Sequence, residues 1–285
     1  MAKSKPFLEE LKSKISVPDI PHDGFYVDSE TWYLLVRNLT KNINTMLVGS
    51  TGCGKTELVM LACKKLGKEC CVYDMGSMYD PISGLLGVHR LNEEGHSVFD
   101  YAKFTADIQK PCVIVLDEFS RAPIMSNNIL FPCLDSRREL PVEIAGGRDM
   151  RRIKVHPDCV FVSTANVGSE YTGTNMLDRA LVNRFFTIEL HYMAEADEAA
   201  VLCQRTGVAG DAAFTIVMVA NKIRNLYAKQ ELSETVSTRE TLMASELVVD
   251  GYDIVKAVEL VFLPLFEGTN TEGERSVVRK LFASF

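Results

Sequence analysis

At 285 residues and 47% hydrophobic content, the chain is long enough for one large domain or two modest ones around a sizeable core. A formal net charge of -7 excludes a general nucleic-acid coat while leaving room for a local basic patch. Eight cysteines without a C-x-x-C pair, several inside apolar runs, read as buried reduced thiols and point to a cytoplasmic protein. The start, Met1 to Pro6, leads into alternating Leu, Glu and Lys rather than an apolar stretch, so neither a signal peptide nor a membrane span is expected.

In chain order, residues 1–22 carry mixed charge and three prolines and read as a loosely held arm with a short amphipathic stretch from Phe7 to Ile15. A helix is predicted from Ser29 to Leu39, then a strand at Met46–Val48. The run Gly49-Ser50-Thr51-Gly52-Cys53-Gly54-Lys55-Thr56 follows that strand and opens a helix, Lys55 to Leu66, through Glu57. This is a complete phosphate-binding loop in strand–loop–helix context. Its glycines let backbone N–H groups turn inward around a triphosphate, and the helix start adds its unpaired donors and positive dipole end. Lys55 is placed to neutralise the β- and γ-phosphates, and the Thr56 hydroxyl suits Mg²⁺, a small hard cation that prefers oxygen ligands.

Further strands are predicted at Glu69–Tyr73, at the apolar run Pro111–Leu116, at Val160–Ser163 and at Thr187–Leu190. Five short strands with helices between them predict a parallel, three-layer αβα sheet, with functional groups at the strands' carboxyl ends. The run Pro111–Leu116 reads as a strand buried on both faces and ends in Asp117-Glu118. Asp117 is a candidate to hold Mg²⁺ beside the phosphate loop, and Glu118 to orient and deprotonate the attacking water. Asn166, after the fourth strand, is a candidate to hold that water or touch the γ-phosphate. From about residue 193 apolar residues recur at helical spacing, so 23–192 is expected to be an α/β domain and 193–285 a smaller all-helical one. Ser237-Thr238-Arg239-Glu240 has the form of a capping box, which puts Arg239 in a helix's first turn.

Two hairpins are expected, at 87–99 and at 139–155, the second turning at Gly146-Gly147. Arg137, Arg138, Arg148, Arg151, Arg152 and Lys154 form one basic cluster. Nucleic-acid contact, a subunit interface and a plain solvated face all fit it; aromatic interleaving is lacking and Glu139, Glu143 and Asp149 dilute the charge. The five histidines show no metal-ligand spacing, so no zinc is expected.

Together these motifs resemble an AAA+ ATPase of the branch that holds MoxR-type, dynein-related, gas-vesicle, Rubisco-activation and cobaltochelatase-type ATPases. Gly49–Thr56 is similar to that family's Walker A motif and Val113–Glu118 to its Walker B, and Asp117-Glu118-Phe119-Ser120-Arg121-Ala122 resembles the recurrent "DE-x-x-R-A" stretch. The resemblance implies that Asn166 is sensor 1 and that Arg184, near the end of Leu177-Asp178-Arg179-Ala180-Leu181-Val182-Asn183-Arg184-Phe185, is the arginine finger; Arg179 is a weaker candidate. It implies that Arg239 is sensor 2 on a lid helix and that Glu57 belongs to the nucleotide-binding set. It further implies an ATP-hydrolysing, Mg²⁺-dependent ring, hexameric, that remodels or activates a protein partner, such as one bearing a von Willebrand A-type domain. A nucleic-acid-directed motor is the alternative reading.

Overall fold

The computed structural model describes residues 6–145, 151–166, 179–269 and 272–282. Contacts divide the chain into two units. One holds residues 1–16, 30–49 and 54–190; the other holds 17–29, the four residues 50–53 and 191–285.

The first unit is built on a five-stranded, all-parallel sheet. Its strands are β1 (Thr45–Gly49), β2 (Glu69–Asp74), β5 (Cys112–Asp117), β8 (Val160–Ala165) and β9 (Phe186–Leu190), in the spatial order β2-β5-β8-β1-β9. The central strands β5 and β8 are mostly apolar, β8 carrying Ser163 and Thr164, and are buried nearly end to end, as a parallel strand covered on both faces requires. Two antiparallel hairpins leave this sheet. One pairs β3 (Gly87–Leu91) with β4 (Ser97–Tyr101), and the other pairs β6 (Glu139–Val142) with β7 (Arg151–Lys154). The Gly146-Gly147 turn assigned to the second lies outside the described residues, and Ile144, expected to continue the strand, sits instead in a 3₁₀ turn over Glu143–Ala145.

The sheet strands run a residue or two past the bounds that their apolar runs predict, and the carboxyl ends matter most. β8 continues to Ala165, because the polar Thr164 is only 1% exposed yet hydrogen-bonded, which removes the usual penalty for burying a hydroxyl. The segment expected as a loose arm is tied down instead. Phe7–Lys14 is a helix that buries Leu11, and Tyr33 Oη donates to the Ile15 carbonyl at 3.1 Å within the first unit. Residues 17–29 join the second unit, where Arg205 Nε donates to Gly24 O at 2.7 Å and Gln204 to Pro21 O at 3.0 Å.

Beyond residues 17–29 and 50–53 the second unit is helical: Glu195–Thr206, Gly210–Ala228, Thr238–Val249, Ile254–Phe262 and Glu274–Phe282. Its core gathers Leu202, Ile216, Val217, Ile223, Phe262 and Val278. Beside that core lies a buried ion pair, Arg224 Nη1 to Glu198 Oε2 at 2.6 Å, whose carboxylate also accepts from Thr241 Oγ1 at 2.8 Å. Among the described residues no helix is long and apolar enough to cross a membrane.

One buried carboxylate gives the first unit a measurable acid sensitivity. Burial pushes Asp107 up, but hydrogen bonds from Tyr73, Lys110, Cys71 and Lys103 outweigh it and hold its pKa at about 2, below the ordinary 3.8. A depressed carboxylate stabilises fully above its unfolded pKa and loses that contribution as pH falls through the folded one. Asp107→Asn should therefore lower unfolding free energy at neutral pH by about 2 kcal/mol. Denaturant titrations should show the gap from wild type closing between about pH 4 and pH 2.

Candidate nucleotide and metal site

The site grows from three neighbouring strand ends. β1 leaves the sheet into the phosphate loop, whose Gly52 and Gly54 take positive φ of 72° and 84°. Gly54 begins the helix Lys55–Leu66 with no side-chain cap, so its first-turn amides remain donors aimed at the loop. Lys55 is 8% exposed, and its ammonium donates to the Gly49 carbonyl at 2.9 Å and to Asn166 Oδ1 at 2.8 Å. The phosphate-loop lysine and the amide after β8 are thus in direct contact.

On the other side of β8, the Thr56 hydroxyl donates to Asp117 Oδ1 at 2.6 Å. Thr164 Oγ1 donates to the same carboxylate oxygen and accepts the Glu118 backbone N–H at 3.0 Å. Asn166 N donates to Ser120 Oγ at 3.3 Å. Neither Thr164 nor Ser120 was singled out by sequence. Both lie one or two residues from a residue that was, and the parallel pairing of β5 with β8, Leu116 beside Ser163, is what brings them together. Glu118 itself sits in the left-handed region, φ 50°, a conformation that strains a non-glycine residue by about 1–3 kcal/mol and is held here by the Thr164 hydrogen bond.

The donor set fits a hard divalent cation. A hydroxyl and a carboxylate, both oxygen ligands, meet at 2.6 Å. The loop also fits a phosphate chain, since it combines a buried ammonium, positive-φ glycines and uncapped helix amides.

The loop tip, residues 50–53, is grouped with the second unit. There Tyr192 Oη donates to Thr51 O at 3.0 Å, and a Cβ built on Gly52 would come within 2.3 Å of Ser237 Oγ. Space as well as backbone angle therefore requires glycine at 52. Ser237 caps the helix Thr238–Val249 in a full capping box, accepting from Arg239 N at 3.2 Å while Glu240 Oε2 accepts from Ser237 N at 2.8 Å. Arg239 lies exposed in that first turn, where the sequence pattern put it.

Arg184 is not among the residues that meet at the strand ends. It follows the short helix Arg179–Val182, donates to the Ala180 carbonyl, stacks 4.5 Å over the Phe131 ring and lies 3.9 Å from Asp135. Its Nε is buried without a hydrogen-bond partner among the described residues. Arg179 is exposed.

The described members of the basic cluster are engaged within their own unit, sharing two carboxylates. Arg152 and Lys154 both pair with Glu139, at 2.5 and 2.8 Å, and hold its carboxyl below the ordinary value. Arg137 pairs with Asp135 at 2.6 Å, and Arg138 donates to the carbonyls of His156 and Cys159. Arg148 and the Arg151 side chain lie outside the described set. All eight cysteines are free thiols, five of them buried.

Comparison with known proteins agrees with this geometry. Residues 44–185 match the family described as AAA domain (dynein-related subfamily), and residues 198–271 match the CbbQ/NirQ/NorQ C-terminal family. The chain is 32% identical over 240 residues to BssE of Thauera aromatica, named as a proposed chaperone, covering 82% of this chain and 80% of that one. It is 28% identical to protein NorQ of Paracoccus denitrificans, over 85% and 87% of the two chains, and 29% identical to protein CbbQ of Hydrogenophilus thermoluteolus, over 78% and 80%. A solved structure of a RuvB point mutant from Thermotoga maritima shares the fold, with a TM-score of 0.54 at 14% identity over 84% of this chain and 72% of that one. Phosphate loop, paired carboxylates, strand order and these matches together place the chain among the MoxR-type AAA+ ATPases of the dynein-related subfamily.

Proposed function

We propose that this chain hydrolyses ATP with Mg²⁺ as a subunit of a homo-oligomeric ring, hexameric and cytoplasmic, and uses the cycle to remodel or activate a protein partner. The observation that carries the reading is the hydrogen-bonded chain Thr56–Asp117–Thr164–Glu118 beside the Lys55–Asn166 contact. A metal ion held by Thr56 and Asp117 would supply charge neutralisation at the β- and γ-phosphate oxygens. Lys55 adds a buried positive charge to the same phosphates, and residues 49–57 hold the phosphate chain through backbone amides. Glu118 accepts the proton of the attacking water, which Asn166 orients through its amide. Arg239 contacts nucleotide from the helical domain, 193–285, and Arg184 serves the site of a neighbouring subunit bound to the 23–192 domain.

The partner reading follows the relatives, one of which is named for chaperone activity. A protein with a von Willebrand A-type domain is the partner class that the MoxR-type resemblance implies. The nucleic-acid alternative loses its main support, since Arg137, Arg152 and Lys154 are paired with carboxylates of the same unit.

Purified protein should release phosphate from ATP only with Mg²⁺ present, and Glu118→Gln with ATP should sediment as a larger species than the nucleotide-free protein. Tagged Glu118→Gln in ATP should retain a protein client that is lost on exchange into ADP. Hydrolysis that persisted in excess chelator, or that rose many-fold on adding DNA or RNA, would overturn this reading.

A further inference from the structure

The guanidinium of Arg224 is engaged at all three of its nitrogens. Nη1 donates to Glu198 Oε2 at 2.6 Å and to Asn221 Oδ1 at 2.8 Å, Nη2 donates to Glu198 Oε1 at 3.0 Å, and Nε donates to the Val236 carbonyl at 2.8 Å. A two-point grip on a carboxylate fixes the plane of the fork as well as its position. Glu198 is fully buried, and its Oε1 also accepts from Thr241 Oγ1 at 2.8 Å. Burying an ion pair gains little stability over apolar side chains of similar volume, so stability alone is a weak reason for this one.

Two parts of the nucleotide site rest on that plane. The Tyr192 ring lies against one face of it, 4.2 Å from Arg224 Cζ to the ring centroid, and Tyr192 Oη donates to the Thr51 carbonyl of the phosphate loop at 3.0 Å. Val236 immediately precedes Ser237, the N-cap of the helix Thr238–Val249 that carries Arg239, and Thr241 belongs to the same helix. One guanidinium therefore holds the tip of the phosphate loop through Tyr192 and the start of the Arg239 helix through the Val236 carbonyl. The two ends also meet directly, since a Cβ on Gly52 would lie 2.3 Å from Ser237 Oγ. Residues 50–53 accordingly group with the unit that contains 191–285 rather than with β1 and the helix that follows them.

We propose that Tyr192 and Arg224 are positioning residues for the nucleotide site: Arg224 orients the Tyr192 ring and the Val236 carbonyl together, so that the phosphate-loop tip and the Arg239 helix keep one register and ATP meets both in it. The inference rests on Arg239 contacting nucleotide from the helical domain. Neither positioning residue needs to touch ATP. What they supply is a loop already in its binding shape, which lowers the ordering cost of binding.

The test measures ATP affinity with Mg²⁺ and steady-state hydrolysis for Tyr192→Phe, Tyr192→Leu, Arg224→Lys, Arg239→Ala and the double variant Tyr192→Phe/Arg239→Ala, each checked by thermal melting. Tyr192→Phe keeps the ring against Arg224 and loses only the bond to Thr51. Its Kd and KM for ATP should rise about 2- to 10-fold, the worth of one neutral hydrogen bond, with kcat and melting temperature kept. Arg224→Lys keeps a charge for Glu198 but loses the fork and its flat face, and should weaken ATP at least as much. Tyr192→Leu removes the stacked ring while leaving the Glu198 pair intact, so it reads the same contact if Arg224→Lys folds poorly, and it should weaken ATP beyond Tyr192→Phe. In the double variant the combined loss should fall well short of the product of the single losses, because the two residues act as one unit. Wild-type affinity in folded Tyr192→Phe or Arg224→Lys, or a double variant that loses the full product, overturns the proposal. Wild-type affinity in Arg239→Ala would instead remove Arg239 from the site, which sinks the reading beneath the proposal and the proposal with it.

Discussion

Lys55→Ala should abolish tight ATP binding, whereas Glu118→Gln should bind ATP and fail to turn it over. The two residues lie close in the fold and differ in what their chemistry can do. Lys55 brings a positive charge that is 8% exposed, so it meets phosphate with little screening, and removing one partner of such a buried charge contact typically weakens binding by about 2–5 kcal/mol. The loss also deprives the Gly49 carbonyl and the Asn166 amide of their donor. Lys55→Met, which keeps the stem, is the control for that local damage. Glu118 contacts Thr164 through its backbone N–H, which Gln retains, so the loop and its left-handed turn should persist while the proton acceptor is gone. A general base contributes about 10²–10⁴-fold, and kcat should fall within that range with nucleotide affinity kept. Fluorescent-nucleotide binding and phosphate release separate the two effects. Near wild-type turnover by Glu118→Gln would remove Glu118 from the role of base.

That contrast could be framed from sequence because each residue sits in a local pattern that fixes its backbone. Gly52 and Gly54 announce positive φ, Ser237 and Glu240 announce a helix start, and an unbroken apolar run ending in Asp117-Glu118 announces a buried strand with carboxylates at its edge. All three describe neighbours in the chain, which is where sequence reasoning is strong. Thr164 and Ser120 were missed because their importance comes from pairing β5 with β8, a relation between residues more than forty positions apart. The helix Ile124–Leu134 was missed for a different reason. Its apolar residues circle the axis, so no periodic stripe marks it, and Pro132 inside it reads as a breaker. The early residues misled in the opposite direction, since their charge and prolines suggested looseness while Leu11, Tyr33 and Arg205 hold them through contacts that no local pattern contains.

Arg184→Ala should leave nucleotide binding largely intact while lowering turnover by about 10³-fold, as the loss of other arginine fingers does. Within its own subunit Arg184 has no contact with Lys55, Thr56, Asp117, Glu118 or Asn166 among those described. Its guanidinium instead lies over Phe131, 3.9 Å from Asp135, with Nε buried and lacking a hydrogen-bond partner among the described residues. Asp135 is engaged more closely by Arg137, at 2.6 Å, so the pair that holds Arg184 is the weaker of the two. A charge held by a ring face, one backbone carbonyl and a long ion pair is available to a stronger acceptor, and a γ-phosphate is one. If that phosphate belongs to the neighbouring subunit, the defect must appear in trans. Mixing Arg184→Ala with Lys55→Ala protein creates interfaces in which one subunit supplies an intact pocket and the other an intact arginine. Such mixed rings should hydrolyse ATP well above either variant alone, by an amount that follows the statistical fraction of complemented interfaces. Activity that stayed at the level of the separate variants, in rings shown by mass to contain both, would place Arg184 in a structural role beside Phe131 and Asp135.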